Sequence, residues 1–94
     1  MEITDNEFQR QFESHINDTK VKIEYSVQER KIFLTKFIMP EELQEEHAET
    51  FMAAVFDHVS DKRVSLVPTS PQIARFMKKN RRKYRDLLPV GISI

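Results

Sequence analysis

The sequence predicts an α/β domain built on a mixed sheet: N-terminal antiparallel strands, then a helix, a parallel strand and a second helix. Three observations predict it. Val21, Ile23, Tyr25 and Val27 alternate with Lys22, Glu24 and Ser26, the period of a half-buried strand. Ala48, Phe51, Met52, Val55, Phe56 and Val59 recur at the spacing of one helical face. The compact strand "RVSLV", Arg63 to Val67, follows that helix, and a strand–helix–strand crossover joins parallel neighbours.

Taken in chain order, Thr4 and Glu7 in "ITDNEFQRQF" have capping-box spacing and predict a short helix. Phe12 to Ile16 predicts a first strand, with the "NDT" at Asn17 as its turn. After the alternating strand, "QER" separates it from "KIFLTKFIM", a spacing that suits a hairpin. Ile32, Phe33, Leu34, Phe37, Ile38 and Met39 are nearly continuous, which predicts a central strand covered on both faces. Pro40 stops it and stands at the entrance to the long helix, where its missing N–H costs little. Pro68 ends the later strand. "TSPQIARFMKKN" then opens the second helix, with Ser70 as N-cap, Pro71 at the first helical position and Ile73, Ala74, Phe76 and Met77 on its apolar side.

A chain of 94 residues is expected to form one domain, 1–94, with a single core and little apolar material to spare. No apolar run approaches the roughly 18 residues of a membrane span, and Met1 is followed by an acidic, polar segment unlike a signal peptide. The expectation is a cytoplasmic protein with no membrane partner. The absence of cysteine excludes disulfides, a thiolate nucleophile and zinc–sulfur sites; the three histidines share no ligand spacing, so no metal is expected.

Net charge is zero, but the total conceals a division. Residues 1–61 hold 14 Asp and Glu against 6 Lys and Arg, and residues 62–94 hold 9 Lys and Arg against the single acid Asp86. Halves of opposite sign either solvate one mixed surface or present a dipolar face to a partner.

Several pieces together resemble the small, single-domain branch of the GNAT acetyltransferase superfamily. They are Arg10-x-Phe12, Tyr25, "MPEEL" from Met39 to Leu43, "LVPTSP" from Leu66 to Pro71 and "YRDLL" from Tyr84 to Leu88. The resemblance runs over residues 6–90, nearly the whole chain, with the motifs in the family's order. It implies a GNAT-like fold in which two parallel strands splay and acetyl-CoA binds between them, donating acetyl to an amine substrate. The Phe37, Ile38 and Met39 backbone would hold the pantetheine. The amides around Gln44, Glu45, Glu46, His47, Ala48 and Glu49 would hold the pyrophosphate, since free N–H groups and the helix dipole favour an anion.

The chain departs from the family's pattern at that loop. Where members carry glycines, it has Glu45, His47 and Glu49. A side chain obstructs close backbone approach, and the carboxylates repel a pyrophosphate, so activity and cofactor binding are both brought into question. The same acids also stabilise a helix N-terminus, by about 0.3–1 kcal/mol each. A non-catalytic GNAT-fold binding module is therefore the alternative, with no cofactor at all.

No catalytic residue is established by the sequence; the two candidates are Ser70 and Tyr84. Ser70 replaces a cysteine common in the family and has a plain use as an N-cap, while Tyr84 is either core or a proton donor near the thiol leaving group. His47 lies one turn from Leu43 and Phe51, so it either covers the edge of the core or contacts a ligand in the remodelled pocket. His15 and His58 read as surface residues. The segment "RFMKKNRRKYR" carries Arg75, Lys78, Lys79, Arg81, Arg82, Lys83 and Arg85. It is a solvated face, an anion site (Arg75, Lys78, Lys79, Arg81, Arg82) for a displaced CoA phosphate, or a surface for an acidic macromolecule or nucleic acid.

Overall fold

A computed structural model describes residues 1–89 and Gly91; residues 90 and 92–94 of the expected domain lie outside the described part. Five strands form one sheet in sequence order: β1 (Thr4–Asn6), β2 (Gln11–Ile16), β3 (Thr19–Gln28), β4 (Lys31–Ile38) and β5 (Ser65–Pro68). The first three pairings are antiparallel, and β4 with β5 is parallel. The crossover between them is α1 (Glu45–Ser60), and β5 is followed by α2 (Pro71–Lys79), α3 (Arg81–Tyr84) and a 3-10 turn, Arg85–Leu87. The GNAT-like α/β mixed sheet is thus present, strands before helix, parallel strand and helix. No described helix is long and apolar enough to cross a membrane.

Two of the hairpins, β2–β3 and β3–β4, close on tight two-residue turns. Asn17 and Asp18 have φ of 52° and 62°, and Glu29 and Arg30 have 51° and 64°, the paired positive values of a type I′ turn. Asn-Asp suits that geometry; Glu-Arg adopts it without the glycine that normally relieves it.

One face of the sheet builds the core. Phe12, Val21, Ile23, Tyr25, Ile32, Leu34 and Leu66 are buried on it, against Phe51, Met52, Val55, Phe56 and Val59 of α1 and Ile73, Phe76 and Met77 of α2. Burying side chains of this size stabilises by about 1.5–3 kcal/mol each. Ring contacts knit the elements together: Phe12 to Tyr25 at 4.6 Å between β2 and β3, and Phe56 to Phe76 at 5.2 Å between the helices.

The continuous apolar run in β4 does not mean that both faces are covered. Glu24 pairs with Lys36 but Tyr25 pairs with Leu34, so Thr35 is an extra residue, a β-bulge. The bulge changes the strand's parity. Ile32 and Leu34 point to the core before it and Phe37 after it, reaching the Phe51 ring at 6.3 Å. Lys36 consequently stays in solvent, while Phe33 and Ile38 are half-exposed on the outer face.

Three local expectations are corrected. Thr4–Asn6 is an edge strand, not a helix, because its backbone pairs with Gln11–Glu13 of β2. The long helix begins at Glu45, not at Pro40: the Leu43 N–H reaches the Pro40 carbonyl at 3.2 Å, making a turn that buries Leu43. Glu41 and Glu42 therefore precede the helix. His58 is half-buried rather than a plain surface residue, its ring edge-on to Phe12 at 5.5 Å.

Candidate active site

The parallel pair is short. Registered partners run only from Lys31 with Ser65 to Leu34 with Pro68. The Leu34 carbonyl then accepts the backbone N–H of Thr69 and of Ser70, at 3.1 and 3.3 Å, and the Thr69 hydroxyl at 3.1 Å. With Pro68 lacking an N–H, the chain turns away from β4 and into α2. Beyond this point β4 still pairs with β3, through Lys36, Phe37 and Ile38, but no residue of β5 pairs with Thr35–Ile38.

The separation opens a cleft of about 260 Å³ between β4, α1 and α2. Phe37, Met39, Ala48, Met52 and Phe76 make its apolar lining. Its mouth is charged: Glu45 and Glu49 from α1 face Arg75 and Lys79 from α2, with Gln72 beside them. Lys79 Nζ donates to a Glu49 carboxylate oxygen at 2.7 Å, and that hydrogen bond raises the Lys79 pKa above its ordinary value.

At the start of α1, Gln44 is the N-cap residue, and its backbone N–H donates to His47 Nδ1 at 3.1 Å. His47 thus fills the third helical position of a capping box, a place usually held by Glu or Gln. The N–H groups of Glu45 and Glu46 have no backbone or side-chain acceptor among the described residues. They are the amides an anion would meet, and Glu45 itself lines the cleft there.

Of the residues expected at a cofactor, Phe37, Met39, Glu45, Ala48 and Glu49 line the cleft. Ile38 faces the other side of the sheet, Gln44 and His47 form the cap, and Glu46 is exposed, with its carbonyl accepting the Thr50 hydroxyl. Of the basic residues, Arg75 and Lys79 reach the cleft. Arg81 and Arg82 line a shallower depression next to it, with Lys79, Asn80 and Lys83, and Lys78 is exposed. Met52, Gln72 and Phe76 were legible only as core or helix residues; their place in the lining depends on how the two helices pack.

Ser70 and Tyr84 both lie outside the lining. Ser70 is buried, and its hydroxyl donates to the Gln72 side-chain oxygen at 2.9 Å instead of capping α2. Its backbone still occupies the N-cap position. Tyr84 packs on Phe56 at 5.0 Å and Phe76 at 6.0 Å. Its hydroxyl is buried without a hydrogen-bond partner among the described residues, beside a separate depression formed with Asp57 and Ser60. Lys83 Nζ stands over the ring, 5.2 Å from its centroid, and the neighbouring phenol raises the Lys83 pKa.

A second polar cluster lies at the other end of the sheet. Asp5 accepts from the Tyr25 hydroxyl at 2.5 Å and from Lys62 Nζ at 2.8 Å, tying β1 to β3 and to the turn that follows α1. Burial pushes the Asp5 carboxyl up, but the bonds from Lys62 and Tyr25 and the charge of Lys62 outweigh it and hold the carboxyl below its usual range. Burial, and then the hydrogen bond to Asp5, raise the Tyr25 phenol.

No group of three or more His, Asp or Glu is placed to hold a metal ion among the described residues. A search of curated proteins finds no match. The family model described as GCN5-related N-acetyl-transferase matches residues 11–87, from the second strand to the 3-10 turn. The match spans the splayed strands, the cleft and both helices that line it, and the chain belongs to the GCN5-related N-acetyltransferase family.

Proposed function

We propose that the chain transfers an acetyl group from a pantetheine thioester to an amine, acetyl-CoA being the donor that its family uses. One observation carries this reading: β4 parts from β5 after Leu34, leaving Thr35–Ile38 without a β5 partner beside an apolar cleft. In a strand, alternate residues direct their N–H and C=O groups to the same side. The β4 edge can therefore hydrogen-bond the amides of an extended pantetheine arm, as a missing strand would.

The two ends of the donor fit unequally. Phe37, Met39, Met52 and Phe76 suit the arm. The diphosphate end does not suit the residues present: Glu45 and Glu49 line the mouth, and His47 occupies the Gln44 amide. The thioester supplies an activated acyl carbon. The amine nitrogen bonds to that carbon as the C–S bond breaks; the nitrogen gives up a proton to water and the sulfur takes one. Ser70 contributes as a positioning residue, because its hydroxyl holds the Gln72 side chain beside the cleft.

A second reading, a non-catalytic module of the same fold, is favoured by the positions of Ser70 and Tyr84 outside the cleft. Amide chemical shifts during titration with acetyl-pantetheine and acetyl-CoA, followed by a free-thiol assay with a panel of amines, separate the two. Acetyl transfer requires saturable shifts at residues 37–39, 45–52 and 72–79 and amine-dependent thiol release. Saturable binding with no release for any amine leaves the module, and no shift at millimolar thioester removes the transferase.

A further inference from the structure

The mouth of the cleft is poorly matched to free coenzyme A, whose diphosphate and 3′-phosphate together carry about four negative charges at neutral pH. Its four charged residues sum to zero: Glu45 and Glu49 against Arg75 and Lys79. Glu49 and Lys79 neutralise each other at 2.7 Å, and Glu45 acts on Lys79 at longer range. Arg75 is the cleft cation with no ion-pair partner among the described residues. Such a mouth has one guanidinium to offer an anion, with the Glu45 carboxylate beside it and no surplus of positive charge for several phosphate charges.

Immediately outside, the charge balance changes. Lys79 lines both the cleft and the adjoining shallow depression, whose other residues are Asn80, Arg81, Arg82 and Lys83. From Arg75 to Arg85 the chain has seven Lys and Arg and no acid. The exposed ends of α2 and α3 therefore form a basic surface continuous with the cleft mouth. A neutral mouth opening onto a strongly basic rim suits a ligand with a lightly charged arm and an acidic body.

We propose that the thioester donor is a phosphopantetheine arm borne by an acidic carrier protein, in preference to free acetyl-CoA. The arm has a single phosphodiester, one negative charge, which meets Arg75 at the mouth while the arm lies along β4. The acidic body of the carrier seats on the surface that includes Lys78 and Arg82. This inference rests on the acetyl-transfer reading and names the donor class for the same site. Clustered Lys and Arg also attract nucleic acid. The continuity of the basic rim with an arm-sized cleft favours the carrier, because a polynucleotide has no use for the cleft.

The test compares four probes by calorimetry and amide shifts: acetyl-pantetheine, acetyl-CoA, an acidic acyl carrier protein acetylated on its phosphopantetheine arm, and the same carrier without the arm. A single-stranded oligonucleotide of about 20 nucleotides serves as competitor. Expected are binding of the acetylated carrier at least tenfold tighter than acetyl-CoA, weakening with salt, and acetyl-CoA no tighter than acetyl-pantetheine. The double substitution Lys78→Glu with Arg82→Glu, outside the cleft, should weaken the carrier at least tenfold and leave acetyl-pantetheine binding unchanged.

Acetyl-CoA binding tenfold or more tighter than acetyl-pantetheine would overturn the proposal while leaving acetyl transfer standing, since a phosphate subsite would then exist. Equal binding of the carrier with and without its arm, or its displacement by the oligonucleotide, would likewise overturn it and leave a surface that reads charge alone. Failure of acetyl-pantetheine to shift the cleft residues would sink the acetyl-transfer reading itself.

Discussion

Lys79 Nζ lies 2.7 Å from a carboxylate oxygen of Glu49, so α2 is tied to α1 across the mouth of the cleft. The pair is solvent-accessible, 65% exposed on the lysine side and 34% on the glutamate, and pairs of this kind contribute little to stability. Its consequence is for access. The pair spends one of the two cleft cations on an internal partner and keeps a carboxylate where a phosphate would approach. Glu49→Gln is expected to raise acetyl-CoA affinity about tenfold, measured by calorimetry, since tenfold corresponds to only about 1.4 kcal/mol. Its Tm should stay within about 3 °C of the parent, consistent with a weak surface pair.

His47 makes a different prediction, because its contact is local. Removing the acceptor for the Gln44 N–H by His47→Ala should cost about 0.5–2 kcal/mol in urea unfolding, the range for losing a helix cap. His47→Glu supplies the usual capping-box acceptor and should recover most of that loss. If both variants lose equal stability, the imidazole is packing rather than capping.

Asp5 sets an acid dependence. Its carboxyl is held below the ordinary value of 3.8 in the folded protein, so its contribution is complete above that value and disappears as pH falls through the lower, folded one. Unfolding curves of the parent and Asp5→Asn should therefore differ most above about pH 5 and converge toward pH 2. A constant difference across that range would show that the Lys62 and Tyr25 contacts do not discriminate the charged form.

Tyr84→Phe removes a buried hydroxyl that has no partner among the described residues. Deleting an unsatisfied polar group is expected to leave stability unchanged or raise it by about 1 kcal/mol. Thiol release should be unaffected, because the ring packs on Phe56 and Phe76 and Tyr84 is not part of the cleft lining. A loss of activity at full stability would restore Tyr84 as a catalytic acid.

Much of the fold was legible because its signals are local. The period of Val21 to Val27 and the helical spacing from Ala48 to Val59 report directly which side of each element is apolar. The six helix positions so marked are the six buried ones. The N-terminal segment was not legible: Thr4 and Glu7 satisfy a local helix signal, but pairing with Gln11–Glu13 supplies more backbone hydrogen bonds than one short turn. The bulge at Thr35 was also hidden, because it shows only as a change in which residues face the partner strand.

The candidate site divides in the same way. Sequence alone determined that a strand, "MPEEL", an acidic helix start and a basic second helix follow one another, and so located the region where a donor would lie. Only the tertiary structure decided which side chains share it. Whether Glu49 meets Lys79, whether Arg75 enters the lining while Arg82 stays outside, and whether the Tyr84 hydroxyl faces the cleft depend on how α1 and α2 pack over the sheet. Residue spacing along the chain encodes periodicity within an element. The angle and separation between two packed elements arise from many long-range contacts, and no short stretch of sequence carries them.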